Sequence, residues 1–109
     1  MIAEYPGLAY KYAYYVLKAP FPAGEIAIMQ EPDTAFWYAK NVLESPWPEA
    51  ESAIAKRAAS AYNYALEVLG GPFPKAEPGI MQNPKIAVWY AQDILKAPWL
   101  EAAPFLAQD

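Results

Sequence analysis

Cysteine and histidine are absent from this sequence. Their absence excludes disulfides, thiolate nucleophiles, Cys/His zinc sites and imidazole acid–base chemistry. Glycine is also scarce, and the pair Gly70-Gly71 precedes a proline rather than the Lys-Ser or Lys-Thr of a phosphate-binding loop. Because these common catalytic groups are missing, we expect no enzyme activity, no metal and no cofactor.

Basic residues and long apolar runs are also few. The chain has 8 Lys and Arg against 12 Asp and Glu, a net charge of −4, whereas nucleic-acid-binding proteins usually present clustered basic side chains to phosphates. The sequence contains no 18-residue apolar span and no charged start followed by an apolar core and a cleavage site. We therefore expect a cytoplasmic protein with neither a nucleic-acid partner nor a membrane partner.

What the sequence does contain is an internal repeat of 26 residues. Four units, 6–31, 32–57, 58–83 and 84–109, align without a gap and fill a single domain spanning 1–109. Alanine, tyrosine and proline recur at matching places. These positions are Ala9, Ala35, Ala61 and Ala87; Tyr12, Tyr38, Tyr64 and Tyr90; Ala13, Ala39, Ala65 and Ala91; and Pro20, Pro46, Pro72 and Pro98.

Each unit is predicted to begin with an amphipathic helix. Its recurrent apolar residues fall at i, i+3, i+4, i+7 and i+8, which is one stripe of a helix rather than the alternation of a strand. Pro6, Pro32 and Pro84 occupy the first helical position, and Asn83 is a suitable N-cap. The recurrent prolines from Pro20 onward predict the end of the helix, because proline moves the preceding residue out of the helical region.

After that proline comes an aromatic residue and then a short second helix, anchored by Ile28, Ile54, Ile80 and Leu106. Pro78 and Pro104 lie early in this segment, which favours a helix that begins there. Unit three has Ala58 where the other units have a leading proline. The sequence therefore predicts one long or gently bent helix between Pro48 and Leu69.

Units of this size cannot bury their apolar stripes alone, so neighbouring units are expected to stack. The predicted fold is all-α, a short α-solenoid of four 26-residue helix-turn-helix repeats. Leu100 and Ala103 replace the recurrent proline and glutamate in unit four, as in a capping repeat.

The pattern Y-A-x-x-V-[LI], followed by P-[FW]-P-x-x-E and Ile, covers nearly the whole chain. It resembles tandem short-helix repeats of phage and bacterial proteins. That resemblance implies an accessory protein in a bacterial cytoplasm, and it brings no catalytic residues with it.

Three recurrent side chains are predicted to have structural roles. The stripe tyrosines belong to the core, and the aromatics Phe21, Trp47, Phe73 and Trp99 fix each turn on it. Glu25, Glu51 and Glu77 are equally spaced, so we expect each to do the same local job. That job is to accept N–H groups at the start of the short helix or the hydroxyl of a repeat tyrosine. The alternative is a paired-carboxylate site for acid–base chemistry or a metal.

The candidate binding residues are large aromatics outside the stripe. Units one and three share Ala-Tyr-x-Tyr-Ala, whereas units two and four share Ala-x-Trp-Tyr-Ala. At about 100° per residue, Trp37 and Trp89 point away from the stripe, and Tyr14 and Tyr15 also leave it. Exposed Trp and Tyr are frequent in interface hot spots. These four residues form the predicted partner-binding surface; alternatively, the tryptophans pack against an adjacent repeat.

Three functions fit this sequence. We favour a non-catalytic protein-binding module, such as a phage-encoded inhibitor of a host protein, whose acidic surface suits a basic partner. The alternative is a protein that sequesters a nucleotide-like ligand by stacking its base on aromatic rings. A further alternative is a structural repeat protein that assembles with copies of itself into a homo-oligomer.

Overall fold

The computed structural model describes residues 2–99 and 102, and these residues contain helices and no strands. The α-helices are α1 (Pro6–Lys11), α2 (Pro22–Met29), α3 (Pro32–Tyr38), α4 (Glu51–Ile54), α5 (Ala58–Tyr64), α6 (Glu77–Met81) and α7 (Pro84–Tyr90). None of the described helices combines the length and apolar character needed to cross a membrane. The all-helical prediction is confirmed.

The first helix of each unit begins where the sequence predicted. Pro6, Pro32 and Pro84 each lie at the first position of a helix. The preceding residue is extended in each case, as proline requires. Asn83 is a true cap, because its side chain accepts the backbone N–H of Ile86 at 3.2 Å.

The ends of these helices are formed differently from the prediction. α1, α3, α5 and α7 continue directly into π-helical segments at Tyr12–Leu17, Ala39–Leu43, Ala65–Leu69 and Ala91–Leu95. The next residue is left-handed: Lys18, Glu44 and Lys96 have φ of 54° and Gly70 has φ of 65°. The helix therefore ends before the recurrent proline, at a left-handed cap that glycine accommodates best.

The short second helix is confirmed in the first three units, as α2, α4 and α6. A 3₁₀ turn precedes α4 at Pro48–Ala50 and α6 at Pro74–Ala76. Pro78 lies in the first turn of α6, as predicted. The predictions for Leu100, Ala103, Pro104 and Leu106 fall outside the described residues.

The prediction of one long helix between Pro48 and Leu69 is wrong. α4 ends at Ile54, and Arg57 is extended, with φ of −123° and ψ of 118°, before α5 begins at Ala58. Hydrogen bonds from Lys56 N–H to the Ala53 carbonyl and from Arg57 N–H to the Ile54 carbonyl close the turn. Tertiary packing imposes the break without a proline, because the helices on either side must meet the same neighbours as their counterparts in the other units.

The helices pack in sequence order around one core. The first helices form a series in which α1 contacts α3, α3 contacts α5, and α5 contacts α7. The short helices lie against the helices that flank them. The described residues extend over 47 × 21 × 18 Å. Small side chains allow the helices to approach closely, and isoleucines fill the space between them. Fully buried members are Ala9, Ala13, Ala35, Ala39, Ala61, Ala65, Ala87, Ile28, Ile54 and Ile80.

Candidate functional site

Three buried tyrosines each join two consecutive units. Tyr38, Tyr64 and Tyr90 are fully buried, which confirms that they are core residues. The Tyr64 hydroxyl accepts the backbone N–H of Trp47 and donates to the Glu51 carboxylate, both at 2.8 Å. We call this arrangement of a tyrosine hydroxyl, an N–H and a glutamate a tyrosine clasp.

The clasp recurs at the same spacing. Tyr38 accepts from Phe21 N–H at 2.8 Å and donates to Glu25 at 2.7 Å. Tyr90 makes the same pair of bonds with Phe73 N–H and Glu77, each at 2.7 Å. The expectation that the repeated glutamates accept a tyrosine hydroxyl is thus confirmed. Tyr12 is different, since it is half-buried and no described residue hydrogen-bonds to its hydroxyl.

Each repeat tyrosine also packs against the aromatic ring of the following turn. The ring centroids of Tyr64 and Phe73 are 5.1 Å apart, and those of Tyr12 and Phe21 are also 5.1 Å apart. Trp47, Phe73 and Trp99 are 5%, 2% and 7% exposed, and Phe21 is half-buried. These aromatics do fix the turns on the core, as predicted.

The clasps keep their tyrosines neutral. Burial raises the pKa of Tyr38, Tyr64 and Tyr90 above the usual value of 10, because a buried phenolate loses its hydration. The backbone N–H of the clasp opposes this rise, and the glutamate carboxylate adds to it. Each of these glutamates therefore accepts a hydrogen bond from a buried neutral phenol.

The two predicted tryptophans lie on the outside of the helices. Trp37 and Trp89 are 44% and 42% exposed, so neither belongs to the core. Trp37 contacts Phe36 on its own helix, with ring centroids 5.0 Å apart, and Lys40 lies 5.2 Å above its ring. Trp89 packs on Tyr62 of the preceding unit at 5.9 Å. Trp89 is therefore partly exposed and also packed against a residue of the neighbouring unit.

The predicted tyrosines lie together on the first unit. Tyr14 and Tyr15 are 40% and 65% exposed, and their rings meet edge to face at 4.8 Å. They line an open groove of about 600 Å³, which we call the tyrosine groove, between the ends of the first helices of units one and two. The remaining lining residues are Ala13, Lys18, Ala19, Asn41, Val42 and Glu44. Neither Trp37 nor Trp89 lines this groove, so the structure separates the predicted surface into two parts.

Polar bridges between neighbouring first helices were missed from the sequence. Asn41 donates to the Tyr10 hydroxyl at 3.0 Å, and Tyr62 donates to Asp93 at 2.6 Å. The hydrogen bond to Asp93, followed by burial, raises the pKa of Tyr62 to about 12. The two bridges are 52 residues apart, as Trp37 and Trp89 are, so the doubled rhythm of the sequence could have indicated them.

The intervening pair of units carries an ion pair instead of a tyrosine bridge. Lys40 lies 2.7 Å from Glu67 of the following unit and also covers Trp37. On the outer surface, polar contacts therefore join neighbouring first helices, and the rings of Trp37 and Trp89 remain partly exposed beside them. Comparison of the chain with protein families, curated proteins and solved structures finds no match.

Proposed function

We propose that the chain is a non-catalytic protein-binding module, an α-solenoid of four repeats that presents aromatic side chains to a partner protein in the cytoplasm. The observation that carries this proposal is the set of four large aromatics, Tyr14, Tyr15, Trp37 and Trp89, each at least 40% exposed on a helical scaffold. Such side chains offer large contact areas with few rotatable bonds, which makes them effective interface anchors. The resemblance to phage and bacterial repeats fits a module that inhibits a host protein.

The scaffold supports this function because its tertiary contacts do not use the exposed faces of these rings. The clasps hold consecutive units through residues on the buried side of the helices. The repeated glutamates, which would be the natural catalytic carboxylates, are occupied by tyrosine hydroxyls. Lys40 lies over Trp37 and Lys85 lies over Trp89, and the remaining exposed parts of these rings can contact another molecule.

Capture from a bacterial lysate with the double variant Trp37→Ala/Trp89→Ala tests the proposal. We expect a complex with the wild-type chain in native mass spectrometry, at least a tenfold weaker complex with the double variant, and unchanged helicity. Ile26→Ala is the matched control, because Ile26 is 71% exposed on the short helix α2. Equal binding by all three proteins, or a clean monomer from the lysate, would contradict the proposal.

The tyrosine groove favours a second candidate, a small aromatic ligand such as a nucleotide-like compound. Two tyrosine rings meet edge to face beside an open volume of about 600 Å³, and an aromatic base could stack on them. Lys18 is the one basic side chain in its lining. A nucleoside panel in a thermal-shift assay would reveal such binding as a rise in melting temperature that Tyr15→Ala removes.

A further inference from the structure

Beside the first helix of unit one, the described residues form a groove of about 340 Å³. It is distinct from the outer aromatic surface, the name we give to the exposed rings of Tyr14, Tyr15, Trp37 and Trp89. The lining of the groove consists of Ile2, Ala3, Tyr12, Phe21 and Ala23. We call it the end groove. Two of these residues occupy known places in the repeat, since Tyr12 corresponds to the clasp tyrosines and Phe21 to the turn aromatics.

The other wall of the end groove also follows the repeat. Ile2 aligns with Ile28, and the 3₁₀ turn Ile2–Glu4 closes with a hydrogen bond from Tyr5 N–H to the Ile2 carbonyl at 3.1 Å. The corresponding bond from Glu31 N–H to the Ile28 carbonyl measures 3.2 Å at the end of α2. Ile2–Glu4 therefore reproduces the last turn of a short second helix, although Ile2 is 45% exposed where Ile28 is fully buried.

One repeat further along the chain, Ile28, Tyr38 and Trp47 correspond to Ile2, Tyr12 and Phe21 of the end groove. There the Pro-aromatic-Pro-x-x-Glu segment, residues 20–25, lies between the two walls. Its Phe21 N–H and Glu25 carboxylate bind the two sides of the Tyr38 hydroxyl. In the end groove the tyrosine, the turn aromatic and the isoleucine turn are present, and the segment that would complete the clasp is not among the described residues. The groove is thus one more copy of an interface that the fold forms three times.

We propose that the end groove binds a Pro-aromatic-Pro-x-x-Glu segment through a fourth tyrosine clasp on Tyr12. The backbone N–H of the segment's aromatic residue donates to the Tyr12 hydroxyl, which donates to the glutamate carboxylate of the segment. A second copy of this chain is a poorer occupant. Its first three segments are already hydrogen-bonded to Tyr38, Tyr64 and Tyr90. Its fourth segment has Leu100 and Ala103 in place of the proline and the glutamate.

The test uses a synthetic peptide of residues 45–53, SPWPEAESA, added to the full chain and followed by amide chemical shifts in NMR. We expect saturable shifts at Ile2, Phe21 and Ala23. Tyr12→Phe should weaken binding about tenfold or more, since the variant loses one hydrogen bond to a backbone N–H and one to a carboxylate. The control peptide with Glu51→Ala should also bind more weakly.

Three results would overturn the proposal. They are the absence of saturable shifts at the end groove at millimolar peptide, equal peptide affinity for wild type and Tyr12→Phe, and shifts confined to the outer aromatic surface. Concentration-dependent shifts at the end groove in the absence of peptide would identify a second copy of the chain as the occupant instead. This proposal does not depend on Trp37 or Trp89, so it can fail or succeed separately from the proposed function.

Discussion

Replacing Tyr64 by phenylalanine isolates the energy of one tyrosine clasp. The ring and its contact with Phe73 remain, while the hydroxyl bonded to Trp47 N–H and Glu51 is lost. The Trp47 N–H bond is buried, and an unpaired buried N–H costs about 1–3 kcal/mol. The bond to the carboxylate contributes further, although Glu51 is only partly buried and can turn to water.

We therefore expect Tyr64→Phe to lower the free energy of unfolding by about 2–4 kcal/mol, against a total of about 5–15 kcal/mol for a domain of this kind. The melting temperature should fall by roughly 4 °C per kcal/mol. Urea denaturation followed by far-ultraviolet circular dichroism gives the difference directly. The change in the midpoint should occur without a change in the slope, since the unfolded chain is the same length.

Tyr12→Phe is the matched control. Tyr12 occupies the same place in unit one and packs on Phe21 at the same distance, but no described residue hydrogen-bonds to its hydroxyl. This variant should change the free energy of unfolding by less than about 0.5 kcal/mol. Equal losses in Tyr12→Phe and Tyr64→Phe would refute the assignment of the energy to the clasp.

Three further predictions concern pH and the ends of the helices. Because the clasp tyrosines stay neutral when folded and ionise near pH 10 when unfolded, their stabilisation is complete below about pH 10 and is lost above it by about 1.4 kcal/mol per tyrosine per pH unit. Urea titrations at about pH 9 and about pH 11 should show this fall, and it should be less steep in Tyr64→Phe. Ala58→Pro should raise the free energy of unfolding by up to about 1 kcal/mol, because Ala58 is the first residue of α5. Ala61→Pro should lower it by about 3 kcal/mol, because it removes the N–H of a 2.9 Å helical hydrogen bond. Equal shifts of the melting temperature in calorimetry would contradict this pair of predictions. Glu44→Gly should raise, and Gly70→Ala should lower, the free energy of unfolding by about 1 kcal/mol, since both positions are left-handed; changes of the opposite sign in urea would show that the caps are not left-handed in solution.

The sequence indicated those features that depend on residues close together in the chain or on exact repetition. Pro6 and Pro32 predicted the helix starts because proline at the first helical position loses no hydrogen bond. Equal spacing of Glu25 and Glu51 predicted a shared local role, and the structure supplies the tyrosine hydroxyl as their donor. The angle of about 100° per residue around a helix also placed Trp37 outside the core, because this angle depends only on residues close together in the chain.

The features that were missed depend on packing between units. Ala58 has no breaking residue before it, so only the contacts of α4 and α5 with their neighbours could show the break at Arg57. The left-handed cap at Glu44 has no glycine to indicate it. The tyrosine groove likewise exists only because the ends of two helices lie side by side, which separates Tyr14 from Trp37 despite their shared character.

Amide hydrogen exchange of the Trp47 N–H tests the tyrosine clasp most directly. In the wild-type chain, we expect the N–H groups of Phe21, Trp47 and Phe73 to exchange nearly as slowly as the most protected helical amides. In Tyr64→Phe, only the Trp47 N–H should lose this protection. The N–H groups of Phe21 and Phe73 should still exchange as slowly as the most protected helical amides of the same, less stable variant. Fast exchange of all three groups in the wild-type chain, at the rate of an open turn, would contradict the clasp.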